Sequence, residues 1–215
     1  MPQHSECGST GEDFGPTDGN YPQPGPSGAL YVLVACEAAT WPVLRGIPAG
    51  DELRTDPAGN LYKTRQVEGS LLLSVSKDEG VTWTPEANVA APGVIAINDW
   101  YVAVRDAGDV AVSYFGQVTG QTTWDGYLTE TKDALDADPL FWSAQLNGSR
   151  PLMFDTELRG TPSVLVDYIG ADIGPDGTAW ASFVQDCGTD PSDPGCTSQD
   201  GQTRGFVGRV VWPAP

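Results

Sequence analysis

Ser74–Trp83 reads SVSKDEGVTW and follows directly on the apolar run Leu71-Leu72-Leu73. Ser, Asp and Glu gathered in so few residues resemble an active site, but their order specifies a turn. An Asp carboxylate accepts nearby backbone N–H groups, a Ser hydroxyl adds a further acceptor, and Gly enters positive φ without strain. Trp83 then supplies a large apolar ring to pack beneath that turn. The stretch therefore predicts a strand ending in a side-chain-locked corner, with Ser76, Asp78, Gly80 and Trp83 as its structural residues.

Outward from this corner, β-type apolar runs alternate with acidic glycine turns. RTDPAGNLYKTR turns at Gly59, AVRDAGDVAVSYF at Gly108 and ADIGPDGTAWASF at Gly177. Each has the hairpin signature of Asp or Asn beside Gly between two strands. The turns recur after roughly 50 and roughly 70 residues, room for four strands each, which predicts propeller blades. The expected units are 46–93, 94–150 and 160–215, forming a region 29–215 that opens with a strand near 29–36 (in ALYVLVACE). Residues 1–28 read as an irregular N-terminal segment. The nearest approach to a helix, TKDALDADPL, is limited by Pro139. Thr131-Lys132-Asp133 repeats Ser76-Lys77-Asp78, which predicts Trp142 as the counterpart of Trp83.

Composition agrees with an all-β chain. The 215 residues include 26 Gly, 18 Pro, seven Trp and seven Tyr, a balance of short strands, turns and aromatic core. The net charge is −18, with only 11 Lys and Arg against 29 Asp and Glu. That field repels nucleic acid and anionic membrane surfaces, and no apolar run reaches 18 residues, so no membrane span is expected. The spread acidic residues read as solvated turns; calcium is the metal their oxygens would suit, and no other cofactor is expected. Cys187 and Cys196 bracket CGTDPSDPGC with no His nearby, the only one being His4. A short disulfide-closed loop accounts for them better than zinc, and proximity leaves Cys7 with Cys36, one of three possible connectivities. Disulfides place the chain in an oxidising, secreted or extracellular setting. MPQHSECGST has neither the basic nor the apolar region of a signal peptide. The expectation is that the leader, or an upstream part of the protein, is missing from this chain.

Ser76-Lys77-Asp78-Glu79-Gly80-Val81-Thr82-Trp83 matches S-x-D-x-G-x-x-W, and here the chain resembles the sialidase superfamily with its bacterial neuraminidase repeat, the Asp-box. VDYIGADIGPDGTAWASFVQDC is also similar to the last blades of secreted sialidase-like proteins. The resemblance covers 46–215. It implies a sialidase-type β-propeller, with about three four-stranded blades in this chain. They would be the C-terminal half of a longer ring, a ring completed by a second copy as a homodimer, or an open arrangement closed by strand 29–36. The resemblance also puts the Asp-box on the outer rim, away from substrate.

Family catalysis uses three arginines on the sialic acid carboxylate, a Tyr nucleophile with a Glu partner, and an acid/base Asp. The innermost strands, those before the hairpin turns, carry Asp99, Tyr101, Arg105 and Asp167 as channel-facing candidates and Tyr168 as the candidate nucleophile. The family's Arg-Ile-Pro motif is interrupted here, because Arg45-Gly46-Ile47-Pro48 contains an inserted Gly. The implied function is a secreted sialidase-like Asp-box domain that binds or scaffolds, with a glycan or an extracellular protein as partner. The alternative is an exo-sialidase-type glycoside hydrolase active only in a longer chain or an oligomer.

Overall fold

The computed structural model describes residues 52–154, 169–186 and 203–211, and a short strand pair, β1 (Gln23–Pro24) with β2 (Leu30–Tyr31). The strand expected near 29–36 is described only at Leu30–Tyr31. Asp167, Tyr168, Cys7, Cys36, Cys187 and Cys196 lie outside the described residues.

The described residues form antiparallel β-sheet and no helix. Sheet I is the meander β3 (Glu52–Thr55), β4 (Leu61–Val67), β5 (Ser70–Ser76) and β6 (Ala87–Asn88). Sheet II follows with β7 (Val94–Val104), β8 (Val110–Val118), β9 (Thr123–Thr131) and β10 (Trp142–Gln145). β11 (Met153–Phe154) continues the β10 edge along β9. The excursion between β10 and β11 leaves Gly126 N unpaired by the ladder. Asn147 Oδ1 accepts from it at 2.9 Å, while Asn147 Nδ2 donates to Asp125 at 2.7 Å. Sheet III comprises β12 (Ile169–Ile173), β13 (Ala179–Asp186) and β14 (Thr203–Arg209). The described residues thus form three blade-like sheets and not a closed ring.

The sheets stack in chain order through their alternating apolar faces. Tyr62, Leu71, Leu73 and Val75 of sheet I meet Ile97, Val102, Val112 and Tyr114 of sheet II. The opposite face of sheet II presents Phe115, Leu128, Leu152 and Met153 to Ile173, Ala179, Ala181 and Phe183 of sheet III. The first strands of the three sheets meet, with β7 packing against both β3 and β12.

The three hairpin turns share one geometry. Gly59, Gly108 and Gly177 have φ of 92°, 85° and 80°. The residue three before each glycine donates its N–H to the carbonyl of the residue after it: Asp56 to Asn60, Arg105 to Asp109, Gly174 to Thr178. Side chains stitch each turn to the next. Tyr62 Oη donates to Asp56 Oδ2 at 2.7 Å and accepts from Gly108 N at 2.7 Å. Burial, opposed by the weaker pull of the Gly108 N–H, holds that phenol well above its usual range. Arg105 Nη1 donates to the Gly174 carbonyl.

The Ser76–Trp83 corner follows β5. Ser76 Oγ accepts from Gly80 N at 2.8 Å and donates to Asp78 Oδ1 at 2.8 Å; Asp78 Oδ1 in turn accepts from Thr82 N at 2.8 Å. Hydrogen bonds from the Thr82 hydroxyl and N–H, then from Ser76, hold the Asp78 carboxyl below its usual range. Gly80 has φ 87°, and Trp83 packs on the buried Leu53 and Leu61. After β9 the arrangement recurs, with Thr131 Oγ1 donating to Asp133 Oδ1 at 2.5 Å and Leu140 N to the same oxygen at 3.0 Å. Leu140 therefore takes the place of Thr82, and Phe141, not Trp142, takes that of Trp83. Phe141 packs against the sheet I–sheet II core, whereas Trp142 is exposed on the β10 edge. The longer loop between Asp133 and Leu140 displaces the spacing on which the Trp142 expectation rested.

The second box position also joins neighbouring sheets. Lys77 Nζ donates to Leu135 O at 2.7 Å, and Lys132 Nζ to Gly177 O at 2.9 Å. Lys132 also meets Asp109 Oδ1 at 2.7 Å and the wholly buried Glu130 carboxylate. Burial works against this ammonium, but its bonds to Asp109 and Glu130 outweigh it and raise its pKa. Ser76→Ala should cost about 1–2 kcal/mol, because the buried Gly80 N–H loses its acceptor. A urea midpoint within experimental error of wild type would contradict this role for Ser76.

Candidate functional site

Two constellations of chemistry-bearing residues meet along the first strands of the sheets. The first joins β3 to β7. Glu52 and Arg54, two residues apart on one strand, project together. Both are buried. Glu52 Oε2 accepts from Val102 N at 2.9 Å, and Arg54 Nε donates to Val102 O at 2.8 Å. The two side chains thus pair the backbone of Val102, on the edge of β7 away from β8, as a neighbouring strand would. Arg54 Nη1 donates to Leu53 O at 2.9 Å, and Arg54 Nη2 lies 3.5 Å from Glu52 Oε1. The guanidinium sits 4.6 Å from the centre of the Tyr101 ring, a cation–π contact.

Asp99 adds a backbone signature. It has φ 53° and lies where the β7–β8 register shifts between Asn98 and Trp100, a β-bulge on the first strand of sheet II. Its Oδ1 accepts from Trp100 N at 2.9 Å. Trp100 Nε1 donates to Thr64 Oγ1 of sheet I at 3.0 Å, so the bulge aims the indole between the sheets.

Burial raises the Glu52 carboxyl to about 7, with Arg54 and then the Val102 N–H opposing the shift and Asp99 adding to it. The unfolded chain ionises Glu52 near 4.5, so between that pH and 7 the folded state holds the extra proton. This contribution to stability is present in full below about pH 4.5 and is lost as pH rises to about 7, by up to about 3 kcal/mol. Glu52→Gln should remove that dependence. Urea midpoints of variant and wild type, followed from pH 4.5 to 7.5, should diverge with rising pH; parallel curves would contradict the assignment.

The second constellation is a cleft of about 360 Å³ whose lining includes Tyr101, Gly170, Asp172, Trp180, Ser182 and Val207. Strand register builds it. Asp172 pairs with Trp180, and Trp180 with Arg209, giving one carboxylate–indole–guanidinium row across sheet III. The neighbouring row is Gly170, Ser182 and Val207. Period-two alternation turns both rows away from the core-facing Ala179, Ala181 and Phe183. Trp180 is 38% exposed, and Arg209 packs its guanidinium 5.1 Å from the ring centre. Asp172 is exposed; its Oδ1 accepts from Ile173 N at 2.8 Å.

Tyr101 belongs to both constellations, and Asp99 adjoins the first. Arg105 is instead held in the hairpin turn by Gly174 and, at 3.4 Å, by Asp106. Glu52, Asp172 and Trp180 were not singled out from the sequence. The Glu-x-Arg alternation in β3 was the available signal for Glu52; only strand register could bring Asp172, Trp180 and Arg209 into line. Among the described residues no group of three or more His, Cys, Asp or Glu is placed to hold a metal ion, and no helix is long and apolar enough to cross a membrane.

No family model and no curated protein matches this sequence. Among solved structures, a thermostable family-43 glycoside hydrolase aligns at 10% identity with a TM-score of 0.38. The alignment covers 86% of this chain and 60% of that one, so the chain spans about three fifths of that enzyme's length. At that score the likeness says nothing of the site.

Proposed function

We propose that the chain is an extracellular, sialidase-like Asp-box propeller module that binds a glycan and presents it without cleaving it. The observation that carries this reading is the commitment of Glu52 and Arg54 to the backbone of Val102. A carboxyl and a guanidinium on β3 are consumed in joining two sheets and are not free to act on a ligand. Three further arginines are likewise engaged separately: Arg65 with Glu86 at 2.5 Å, Arg105 with the Gly174 carbonyl, Arg209 with Trp180. A clamp on a sialic acid carboxylate needs several guanidinium groups converging on one point.

A glycan array probed with the full chain tests the binding half of the proposal, and a fluorogenic sialoside tests the other half. Glycan retention without sialic acid release is the expected result. Release abolished by Tyr168→Phe would overturn it in favour of an exo-sialidase. Completion of the ring by a second copy forms part of the same proposal. Its measurement is native mass: twice the chain mass supports a self-completed ring, and a monomer refutes it.

A further inference from the structure

We infer that the sheet III cleft is a subsite for one uncharged sugar ring, stacked on Trp180 and hydrogen-bonded by Asp172 and Ser182. The inference rests on the glycan-binding reading and adds to it the place and the charge class of the ligand. Its size is at the lower end of ligand clefts, suited to a single small ring. An exposed indole offers an apolar plane to the C–H face of a pyranose. Asp172, exposed beside it, supplies acceptor oxygens for sugar hydroxyls, and Ser182 a hydroxyl that both donates and accepts. Tyr101 closes the cleft from β7.

Two further features select the ligand. Among the described residues, Asp172 is the only charged one in the lining. An anionic sugar would meet this carboxylate directly, in a chain of net charge −18, while the neighbouring Arg209 guanidinium is engaged with the Trp180 ring. An uncharged ring meets no such penalty. Arg209, outside the lining, backs the indole and holds it in one orientation. It is a positioning residue, and it lowers the ordering cost of stacking a ligand on Trp180.

Row geometry keeps the cleft open. Asp172, Trp180 and Arg209 carry its large side chains, while Gly170 and Ser182 form a low floor beside them. A Cβ on Gly170 would come within 2.8 Å of Ser182 Oγ.

The test is calorimetric titration of the full chain with methyl glycosides of glucose, galactose and mannose, with lactose, and with 3′-sialyllactose. The inference expects a neutral sugar to bind and 3′-sialyllactose to bind more weakly than lactose. Loss of the stack or of a hydroxyl acceptor should weaken binding about tenfold or more in Trp180→Ala and Asp172→Asn. A cooperative thermal melt of each variant should show that the fold is kept, and Arg209→Lys should retain more affinity than Arg209→Ala. Neutral-sugar binding undiminished in both Trp180→Ala and Asp172→Asn would overturn this subsite while sparing the glycan-binding reading. Preference for 3′-sialyllactose would overturn the charge class alone. No binding of any sugar, here and on the array, would overturn both. A fall in native mass in Trp180→Ala, with no sugar bound by wild type, would identify the face as a contact between copies.

Discussion

Arg54→Ala should cost about 3–5 kcal/mol of folding stability, from the loss of a buried guanidinium that donates to two backbone carbonyls. The loss has three sources. Val102 O and Leu53 O each lose a charge-assisted donor. Glu52 stays buried beside the Val102 N–H with its nearest cation gone, so its proton is held still more tightly. The Tyr101 ring loses the guanidinium packed on it. Arg54→Lys should recover only part of the loss, because a lysine presents a single point of charge and cannot donate in two fixed directions. Urea unfolding reads the effect as a shift in midpoint at unchanged slope. A shift worth less than about 1 kcal/mol would mean that water replaces the guanidinium at Val102, and the clamp would lose its role. The contrast with Arg65 is instructive. Arg65 pairs with Glu86 bidentately at 2.5 and 2.6 Å, yet both side chains are partly exposed, so solvent screens the pair and truncation should cost far less.

What could be read from the sequence was local. Ser76, Asp78 and Gly80 act within eight residues, so their spacing contains the whole corner. Gly59, Gly108 and Gly177 mark hairpins because positive φ is a property of single residues. The same locality explains the failure at Trp142. A box is defined by which N–H reaches its Asp carboxylate, and a longer loop let Leu140 do so, moving Phe141 into the packing position. The contacts between sheets were harder to read. Glu52 and Arg54 find Val102 about fifty residues away, and no periodicity within β3 points there. Asp172, Trp180 and Arg209 are brought into one row only by the registers of β12, β13 and β14. A slip of one residue in either pairing would separate them onto opposite faces. Asp99 and Tyr101 were legible as residues of the strand before a hairpin turn, but not the bulge that sets the Asp99 backbone at φ 53°.

Gly69→Ala should destabilise the chain by about 3–5 kcal/mol, from two independent penalties. The β4–β5 loop is the two-residue turn Glu68–Gly69, closed by the pairing of Val67 with Ser70. Its φ values of 45° and 82° are those of the primed turn that the twist of a hairpin favours. Alanine at 69 would first be forced into the left-handed region, at about 1–2 kcal/mol. Its Cβ would also fall 2.0 Å from Ile95 O and 2.7 Å from Ile95 C. Both are backbone atoms, so no rotamer change relieves the overlap. Ile95 opens β7 beside the register shift between Val94 and Ala96, and displacing it would strain the neighbouring bond from Gln66 Nε2 to Ile97 O, now 2.8 Å. Glu68 provides the control. It occupies positive φ with a side chain that gains nothing there, so Glu68→Asn should leave stability unchanged or raise it slightly, since Asn tolerates the left-handed region. Opposite signs at adjacent positions would separate a steric contact between sheets from general sensitivity of the loop. Equal, small effects at both positions would mean that sheet I can move away from β7 at little cost, and the close approach of Gly69 to Ile95 would then have no part in holding the two sheets together.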